Sequence, residues 1–591
     1  MTEITRLFDF PYYQLEKYNL DAALVTKKNG EWIKTSTKEY LDKANAVSRA
    51  LLKMGIKKDD KIALISSTNR TEWNIMDIGI LQTGAQNIPI YPTISAEDYE
   101  YVLNHSESIY CFVSDEGVLE KVRKVQANTK VKEVFSFNHI EGCKHYSELF
   151  ELGKDTSNQK EVEARKDAVL PTDLATIIYT SGTTGKPKGV MLSHNNLTSN
   201  ALDASHRLPL LDNNDENRVL SFLPICHVFE RVLIYIYQYA GASIYFAEGI
   251  DKIGENAKEI KPHLMSVVPR LLEKVYDKII DKAEDLSPIK KALFFWAVKL
   301  GEQWEPYEAN GAWYEFKLKI ANKLIFSKWR EALGGELKTM VSGSAALQVR
   351  LSRVFTAAKM QVMQGYGLTE TSPVVSVEMY RDNHFRLGTV GKPIKNVEVK
   401  IAEDGELLIK GPNVMMGYYK DPEKTKNVMS GDFFHTGDKG EIDADGFLKI
   451  TGRKKEMFKT SGGKYVIPTL LENELKQSRF IEQVMVIGEG EKMPAAIIQP
   501  NFEFIKEWIA FKKKNIGTTN EEIVASDIIK ERIQQELDEC NQHFGKWEQI
   551  KRFELTPEIW SIDSGHLTPT LKMKRSVIKS IHQNLYDKIY R

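Results

Sequence analysis

TSGTTGKPKG, residues 180–189, is the segment from which the fold can be worked out. It contains three glycines, four hydroxyl residues and two lysines, which suits a loop that wraps a polyphosphate with backbone N–H groups, hydroxyls and positive charge. An apolar run, 175–179, precedes it and another, 190–192, follows it, and both are typical of buried strands. We therefore predict a phosphate-binding loop that joins two strands.

This loop differs from a Walker-type P-loop in spacing, chemistry and context. Gly182 and Gly185 are separated by two residues, Pro187 follows Lys186 where a Ser or Thr is needed, and a strand follows where a helix is needed. A kinase-like or GTPase-like site is therefore disfavoured. A solvated surface hairpin is the other alternative, but so dense a glycine and hydroxyl cluster favours phosphate binding. The predicted phosphate-contacting residues are Thr180, Ser181, Gly182, Thr183, Thr184, Gly185, Lys186 and Lys188.

Length, charge and cysteine usage limit the class of protein. A chain of 591 residues is too long for one compact core and suggests roughly two to four domains. The 81 basic side chains balance 81 acidic ones, so no overall positive field argues for nucleic acid as a partner. The four cysteines form no CxxC pair, which disfavours a cysteine-based zinc site or a disulfide framework. We expect a cytoplasmic protein.

The sequence predicts neither an export signal nor a membrane span. Residues 1–19 carry acidic and aromatic side chains where a signal peptide needs a basic start and an apolar run. The longest uncharged run, 232–247, includes Gln238, Gly241 and Ser243 and is shorter than a bilayer span. We predict that this run is a buried helix followed by a strand.

Strand-like and helix-like segments alternate through the first part of the chain, as in the strand 61–66, the helical pattern 73–81 and the strand 109–113. This alternation predicts an α/β domain with a largely parallel sheet, whose ligands bind at the carboxyl ends of the strands. The tryptophan-bearing stretch from about 271 to 333 is predicted to be a helical insertion. Within it KKALFFWAVKLG, 290–301, is expected to pack against the large domain, with a membrane surface as the alternative.

Two further segments have the composition of ligand-binding turns. GYGLTE, 365–370, ends in a hydroxyl and a carboxylate that could hold Mg²⁺ on a phosphate, although alone it would be interpreted as a tight turn. Thr436, Gly437 and Asp438 form a second such turn. Farther along, GRKKEMFKTSGGKYV, 452–466, concentrates five basic residues and three glycines, which favours a hinge before a smaller C-terminal domain.

Taken together, these motifs resemble the adenylate-forming superfamily, which includes acyl-CoA synthetases, luciferases and peptide-synthetase adenylation domains. IIYTSGTTGKPKGVMLSH, 177–194, looks like its signature loop, and YGLTE, 366–370, looks like its YGxTE loop. FLPICHVFER, 222–231, resembles long-chain acyl-CoA synthetases in particular. The resemblance extends over essentially the whole chain. It implies an α/β fold with a large N-terminal domain, parallel sheets and a helical insertion, followed by a small mobile α+β C-terminal domain.

The resemblance also implies roles for single residues. The domain boundary would lie between 1–453 and 454–591, with Lys455 as the hinge. Lys572 in LTPTLKMKR would be the catalytic lysine. Lys574 is the alternative, because the residue spacing of the family's last motif is shortened here. His227 would line the substrate pocket and steer the carboxylate. The implied nucleotide and metal contacts are Tyr366 near the adenine, Thr369 at the phosphates, Glu370 at Mg²⁺, and Asp438 and Arg453 at the ribose, with Gly365 and Gly367 as further nucleotide-binding residues of the same loop.

The resemblance implies that the protein is an ATP-dependent long-chain fatty acid CoA ligase. It would use Mg²⁺ and coenzyme A, and its reaction would pass through an acyl-adenylate intermediate. Three alternatives stay open: a ligase for acyl-carrier protein or for medium-chain or aromatic acids, a non-catalytic protein that binds lipid or acyl-AMP, and a phosphotransferase. The expected partners are a fatty acid and no nucleic acid, with peripheral membrane contact as an open question. The sequence predicts no particular oligomeric state.

Overall fold

A computed structural model describes residues 2–180, 186–209, 217–562, 564–568 and 571–591 of the chain. Its strands are β1 (Leu24–Lys28), β2 (Glu31–Thr35), β3 (Lys61–Ile65), β4 (Gln86–Ile90), β5 (Tyr110–Val113), β6 (Glu133–Ser136), β7 (Lys144–His145), β8 (Leu174–Thr180), β9 (Lys188–Ser193), β10 (Asn217–Ser221), β11 (Ala242–Phe246), β12 (Leu264–Val267), β13 (Thr339–Ser342), β14 (Gln361–Gly367), β15 (Val374–Val377), β16 (Lys392–Pro393), β17 (Glu398–Ile401), β18 (Glu406–Lys410), β19 (Gly417–Tyr418), β20 (Met429–Ser430), β21 (Phe433–Ile442), β22 (Leu448–Arg453), β23 (Phe458–Lys459), β24 (Tyr465–Val466), β25 (Ile481–Ile487), β26 (Ala495–Pro500) and β27 (Arg552–Leu555).

The α-helices are α1 (Asp9–Lys17), α2 (Thr37–Lys53), α3 (Thr71–Leu81), α4 (Ala96–Ser106), α5 (Glu116–Gln126), α6 (Glu148–Leu152), α7 (Gln159–Ala168), α8 (His194–Ser205), α9 (Val228–Tyr239), α10 (Ile253–Ile260), α11 (Pro269–Glu284), α12 (Pro288–Glu302), α13 (Ala312–Ala321), α14 (Ser327–Ala332), α15 (Val349–Ala357), α16 (Pro422–Asn427), α17 (Pro468–Leu475), α18 (Phe502–Lys512), α19 (Asn520–Ala525), α20 (Asp527–Asn541), α21 (Arg575–Ile581) and α22 (Gln583–Tyr590). A π-helical segment, Asn322–Phe326, joins α13 to α14.

Two mainly parallel sheets form the large N-terminal part. One has the strand order β19-β9-β8-β4-β3-β5-β6-β7, and the other has the order β16-β15-β14-β13-β12-β10-β11-β1-β2. β3 pairs in parallel with β4 and β5, as the alternation of strands and helices predicted. The run 232–247 forms most of α9 and then β11, which confirms the prediction of a buried helix followed by a strand. The α/β fold with parallel sheets is confirmed.

In the sequence the glycine-rich segment connects β8 to β9, two antiparallel strands that lie next to the edge strand β19 of the first sheet. β8 and β9 pair from Leu174 opposite Ser193 to Thr180 opposite Lys188. β8 also pairs in parallel with β4, so the segment leaves the sheet at the carboxyl end of β8. This is the edge where ligands bind in parallel α/β folds, and the loop joins two strands as predicted.

A third sheet places two predicted ribose contacts opposite each other. Its order is β17-β18-β21-β20, with β22 added to β21. In the β21–β22 pair, Asp438 is directly opposite Arg453, so their side chains can meet although 15 residues separate them in the chain.

The predicted helical insertion corresponds to α11 through α14. Pro269 and Pro288 start α11 and α12, positions where proline costs no helical hydrogen bond. In α12 the side chains of Phe294, Ala297 and Val298 are buried, so one face of the segment 290–301 packs against the large domain. No helix in the described part of the chain is long and apolar enough to cross a bilayer.

The smaller C-terminal part has its own apolar interior. β25, β26 and β27 form a three-stranded sheet in which β25–β26 is antiparallel and β26–β27 is parallel. One cluster of buried side chains extends from Phe458 to Leu555, and a second, from Met485 to Ile589, covers the other face of the same sheet. Both are separate from the large core that begins at Leu7 and ends at Phe434.

Candidate active site

A cavity of about 2220 Å³ lies where the two parallel sheets, the third sheet and the C-terminal part meet. It is larger than the several hundred cubic ångströms of a typical small-ligand pocket, so it can hold more than one substrate. The predicted site residues that line it are Thr180, Lys186, Lys188, His227, Gly365, Tyr366, Gly367, Thr369, Glu370, Arg453, Lys455 and Lys572. Ser181, Gly182, Thr183, Thr184 and Gly185 lie outside the described residues.

The Glu370 carboxylate is held by a lysine and a tyrosine. Lys188 Nζ donates to Glu370 Oε1 at 2.5 Å, and the Tyr418 hydroxyl donates to the same oxygen at 2.9 Å. Burial alone would raise the pKa of Glu370, but the Lys188 charge and the two hydrogen bonds lower it below its usual value. An ionised, buried carboxylate is a suitable hard ligand for Mg²⁺, with phosphate oxygens to complete the coordination.

The loop that carries Glu370 requires glycine for packing as well as for ligand access. A Cβ at Gly367 would lie 1.7 Å from the carbonyl oxygen of Pro373, so any side chain there would displace the backbone. Thr369 and Glu370 form a short 3₁₀ turn directly after β14. The second glycine of GYGLTE is therefore fixed by close backbone approach, which sequence patterns do not distinguish from phosphate contact.

Asp438 is already fully engaged by protein groups. The Tyr366 hydroxyl donates to Asp438 Oδ2 at 2.8 Å and Arg453 Nε donates to Oδ1 at 2.7 Å. Tyr366, Gly437 and Arg453 line the cavity and cover the carboxylate, which is 3 % exposed. Burial, followed by the Asp438 charge, raises the pKa of Tyr366, so its hydroxyl stays a donor. A ribose diol could reach Asp438 only if Tyr366 or Arg453 moved aside.

Lys572 lies on a hairpin that reaches into the cavity from the C-terminal part. The Thr568 N–H donates to the Lys572 carbonyl oxygen at 2.8 Å, and Leu567 pairs with Met573. Its side chain is exposed to the cavity but surrounded by protein on several sides. The resulting loss of solvent, and then the Arg453 charge, lower its pKa, while Asp438, Glu456 and Glu370 raise it.

His227 begins α9 and faces the same cavity. Its Nδ1 accepts from the Phe229 N–H at 3.2 Å, which leaves the proton on Nε2 as a donor toward the cavity. Burial, followed by the nearby charge of Lys572, lowers the pKa of His227 to about 3, so the ring is neutral. His227 and Lys572 are thus electrostatic neighbours although 345 positions separate them in the sequence.

The remainder of the HVFER motif supports α9 from behind. Glu230 is buried and accepts from Ser221 at 2.5 Å and from Ser266 at 2.6 Å. Arg231 is also buried and pairs with Asp77 at 2.6 Å. The opposite face of α9 turns Phe229, Leu233 and Ile236 toward the cavity. The motif therefore combines a polar anchor on one face with an apolar wall on the other.

Part of the cavity lining is apolar. The cavity is lined there by side chains from the end of α8, the face of α9 and the end of β13, namely Ala204, Leu208, Phe229, Leu233, Ile236 and Val341, together with Gly343. No described ionisable side chain is among these seven. This arm can take a hydrocarbon chain whose head group meets His227 and Lys572.

Sequence reasoning missed the residues that hold Glu370. Tyr418 belongs to the short strand β19, which pairs with β9 and so brings its hydroxyl to Lys188 and Glu370. A tyrosine pair in MMGYYK gives no local signal of this role. Lys186 lies with Nζ 5.1 Å from the centre of the Tyr101 ring, and the hydroxyl of Thr180 is buried without a hydrogen-bond partner among the described residues.

Comparison with known protein families places the chain in one of them. Residues 13–419 match the AMP-binding enzyme family, and residues 456–590 match the AMP-binding enzyme C-terminal domain. The first match covers more than half of the chain. The protein therefore belongs to the AMP-binding enzyme family, as the resemblance of its motifs implied.

Among characterised relatives, the chain is similar to long-chain-fatty-acid–CoA ligase FadD15 of Mycobacterium bovis. The two are 33% identical over 566 residues, which is 95% of this chain and 93% of that protein. The chain is 32% identical to long-chain-fatty-acid–CoA ligase 1 of Homo sapiens, over 95% of this chain and 82% of that protein.

The fold is similar to that of solved adenylate-forming enzymes. The anthranilate CoA ligase AuaEII in complex with anthranoyl-AMP superposes with a TM-score of 0.70 at 20% identity, over 98% of this chain and 97% of that one. A fatty acyl CoA synthetase of Mycobacterium tuberculosis superposes with a TM-score of 0.60 at 18% identity, over 98% and 99%. At these identities the comparison establishes the fold alone.

Proposed function

We propose that this chain is an ATP-dependent ligase that converts a long-chain fatty acid into its acyl-CoA thioester through an acyl-adenylate, releasing AMP and pyrophosphate. The observation that carries the proposal is a single cavity that joins the predicted nucleotide-binding side chains to an apolar arm. His227 and Lys572 lie near the junction, where a carboxylate and an α-phosphate would meet. The names of the two relatives support the same activity.

In the first half-reaction a carboxylate oxygen attacks the α-phosphorus of ATP. A new P–O bond forms, the bond from that phosphorus to the bridging oxygen breaks, and pyrophosphate leaves. Lys572 is the mobile cation that offsets the charge accumulating on the α-phosphate, and the neutral His227 donates a hydrogen bond to orient the carboxylate. Bound at Glu370, magnesium would neutralise charge on the phosphates, and Lys188 would then move from Glu370 to the phosphates.

In the second half-reaction the coenzyme A sulfur, having lost its proton, attacks the acyl carbon. A C–S bond forms, the C–O bond to AMP breaks, and AMP leaves with the electron pair. Lys572 is not needed in this step, and its hairpin lines the cavity in which the acyl-adenylate would lie. We propose that the C-terminal domain, 454–591, turns about Lys455 between the two steps, as in other two-step sites served by one mobile domain.

An assay over a series of acids tests this function. Pyrophosphate release is measured with magnesium and ATP for aromatic, medium-chain and long-chain acids, with and without coenzyme A. Each methylene buried in the apolar arm contributes about 0.8 kcal/mol, so kcat/KM should rise with chain length until the arm is full. AMP and acyl-CoA are the expected products; ADP, or strict dependence on a carrier protein, would contradict the proposal.

We further propose that the enzyme works in the cytoplasm and docks on the surface of an anionic membrane through α13. Trp313, Phe316, Ile320 and Leu324 recur at helical spacing on the solvent side of α13 and its π-helical extension, and Trp313 is 70 % exposed. The lysines at 317, 319 and 323 flank this stripe. An apolar stripe bordered by lysines suits insertion at the boundary of anionic lipid head groups and acyl chains, where long-chain acids partition.

Vesicle co-sedimentation tests the membrane proposal. The paired change Trp313→Ser and Phe316→Ser should reduce binding to anionic vesicles by at least about tenfold, because two large apolar side chains leave the interface. Phe511→Ser, at an apolar side chain that is 75 % exposed on α18, should leave binding unchanged. If the paired change instead abolishes self-association and leaves vesicle binding intact, the stripe is a surface between copies of the chain and the membrane proposal is wrong.

A further inference from the structure

Two buried histidines and a glutamate converge behind the hairpin that carries Lys572. His566 and His582 are each less than 5 % exposed, and their rings stack with centroids 5.4 Å apart. Glu558 Oε2 lies 3.6 Å from His566 Nε2 and 3.9 Å from His582 Nε2. Three side chains that are common metal ligands thus place one nitrogen or oxygen each within 4.8 Å of the others.

The nitrogen of His566 that faces this cluster lacks a hydrogen-bond partner. Its Nδ1 is occupied by Ser564 at 2.8 Å, whereas its Nε2 is buried and accepts or donates no hydrogen bond among the described residues. A buried polar atom without a partner is costly unless a ligand satisfies it. When Nδ1 of His566 donates its proton to the Ser564 hydroxyl, Nε2 of the same ring has a lone pair that a metal ion can take.

We propose that Glu558, His566 and His582 form a binding site for a divalent transition metal ion of the zinc class. Zinc takes imidazole nitrogen and carboxylate oxygen at about 2.0–2.2 Å in tetrahedral geometry, so ligand atoms should lie about 3.3 Å apart. The carboxylate oxygen lies 3.6 Å and 3.9 Å from the two imidazole nitrogens, and all three ligand atoms lie within 4.8 Å of one another, so both Glu558, whose side chain is 54 % exposed, and the imidazole rings must shift when the ion binds. A water molecule would supply the fourth ligand. This proposal does not depend on the ligase activity.

One protein group competes with the metal for the site. The indole N–H of Trp560 donates to His582 Nε2 at 3.2 Å and therefore occupies the lone pair that would bind the ion. Trp560 also stacks on His566 with centroids 5.9 Å apart. The indole must release His582 when the ion binds, so removing this N–H while keeping an aromatic ring should strengthen metal binding.

The position of the site suggests what an ion would do. The Lys574 N–H donates to the His566 carbonyl oxygen at 2.9 Å, so His566 lies at the base of the Lys572 hairpin. His582 directly follows α21, which begins at Arg575 just after that hairpin. An ion held by both histidines would tie together the two ends of the segment 566–582. Metal binding would thus stabilise the element that carries the lysine proposed to act in adenylation.

The site can be tested by titrating metal ions into the full-length, tag-free protein, after chelator treatment and without nucleotide. Co²⁺ should give the intense visible bands of a tetrahedral nitrogen and oxygen site without thiolate charge transfer, and Zn²⁺ should displace it. His566→Gln, His582→Gln and Glu558→Gln should each weaken Zn²⁺ binding by at least about tenfold. Trp560→Phe should strengthen it by about three- to tenfold, since a competing hydrogen bond is removed.

His543→Gln is the matched control, because this exposed histidine of the same domain also contacts a glutamate, Glu474, at 2.9 Å. It should bind Zn²⁺ as the unmodified protein does. Zn²⁺ should also slow hydrogen exchange in 566–582 and raise the thermal midpoint. The proposal is overturned if His566→Gln and Glu558→Gln, folded by circular dichroism, bind Zn²⁺ with unchanged affinity, or if Trp560→Phe weakens binding.

Discussion

At the scale of single residues, most charged side chains of the proposed site pair with other protein groups. Lys188 and Glu370 neutralise each other, Arg453 covers Asp438, and Lys572 projects into the cleft. If a phosphate and a ribose bind as proposed, Lys188 would leave Glu370, and either Arg453 or Tyr366 would move away from Asp438. These protein–protein ion pairs compensate charges that would otherwise be buried without a partner.

Lys572→Ala should separate the two half-reactions. Adenylation, measured by pyrophosphate release, should fall by at least about a hundredfold, because the cation beside the α-phosphate is lost. Thioester formation from supplied acyl-adenylate should persist, since that step does not use the lysine. Lys574→Ala should affect adenylation far less; the reverse ranking of the two variants would assign the role to Lys574.

Glu370→Gln should raise the magnesium concentration needed for half-maximal activity by about tenfold, because an anionic oxygen ligand becomes a neutral amide. The measurement is initial rate against free magnesium at saturating ATP. Glu248→Gln, at an exposed glutamate paired with Lys27 at 3.2 Å, should leave the curve unchanged. An unaltered magnesium requirement in the Glu370 variant would remove this residue from the metal site.

At the scale of elements, α9 links the polar and apolar halves of the cavity. Its first residue follows His227, its inner face lines the apolar arm, and its outer face is anchored by Arg231 on Asp77. A rotation of this helix would move the hydrogen-bond donor and the hydrocarbon wall together. Its buried ion pair and serine contacts hold the helix in place, and they would therefore fix the position of the proposed substrate's carboxylate relative to its hydrocarbon chain.

Gly343→Ala should change acyl-chain preference. A Cβ at residue 343 would lie 3.1 Å from the Phe229 ring, so the ring must shift within the apolar arm. We expect kcat/KM for long-chain acids to fall by about tenfold relative to medium-chain acids, with the KM for ATP unchanged. Gly254→Ala, at a glycine of α10 with no neighbour within 4 Å of its Cβ position, is the control. Equal losses for all acids would exclude a role in chain selection.

At the scale of the whole molecule, ion pairs hold the two parts in the orientation that brings Lys572 into the cavity. Arg270 of α11 pairs with Glu482 of β25, and Arg479 pairs with Asp281 of α11. Both contacts join the helical insertion to the C-terminal part. If the C-terminal part rotates about Lys455 as proposed, both ion pairs would have to open, and they would therefore favour the orientation proposed for adenylation.

Glu482→Gln should weaken this bias. Adenylation should slow by about two- to fivefold, as expected for one partly exposed ion pair, while thioester formation should not decrease. Added salt should have the same effect on the unmodified enzyme. Asp42→Asn removes an exposed pair with Lys38 on α2, 2.7 Å apart, and should change neither step. Parallel loss of both half-reactions in the Glu482 variant would contradict the proposed rotation.

The sequence by itself determined the α/β class, the strand–loop–strand context of residues 180–189 and the helical insertion. All three depend on local features of the sequence, namely the spacing of apolar residues, the density of glycines and the positions of prolines. Through the resemblance of short motifs it also predicted Glu370 and Asp438 as ligand contacts, which stays a prediction. Tertiary structure alone decided that Tyr418 and Lys188 hold Glu370, that Arg453 covers Asp438, and that two histidines converge on Glu558. Such contacts join residues distant in the chain, and their geometry comes from sheet register and domain packing, which no local pattern encodes.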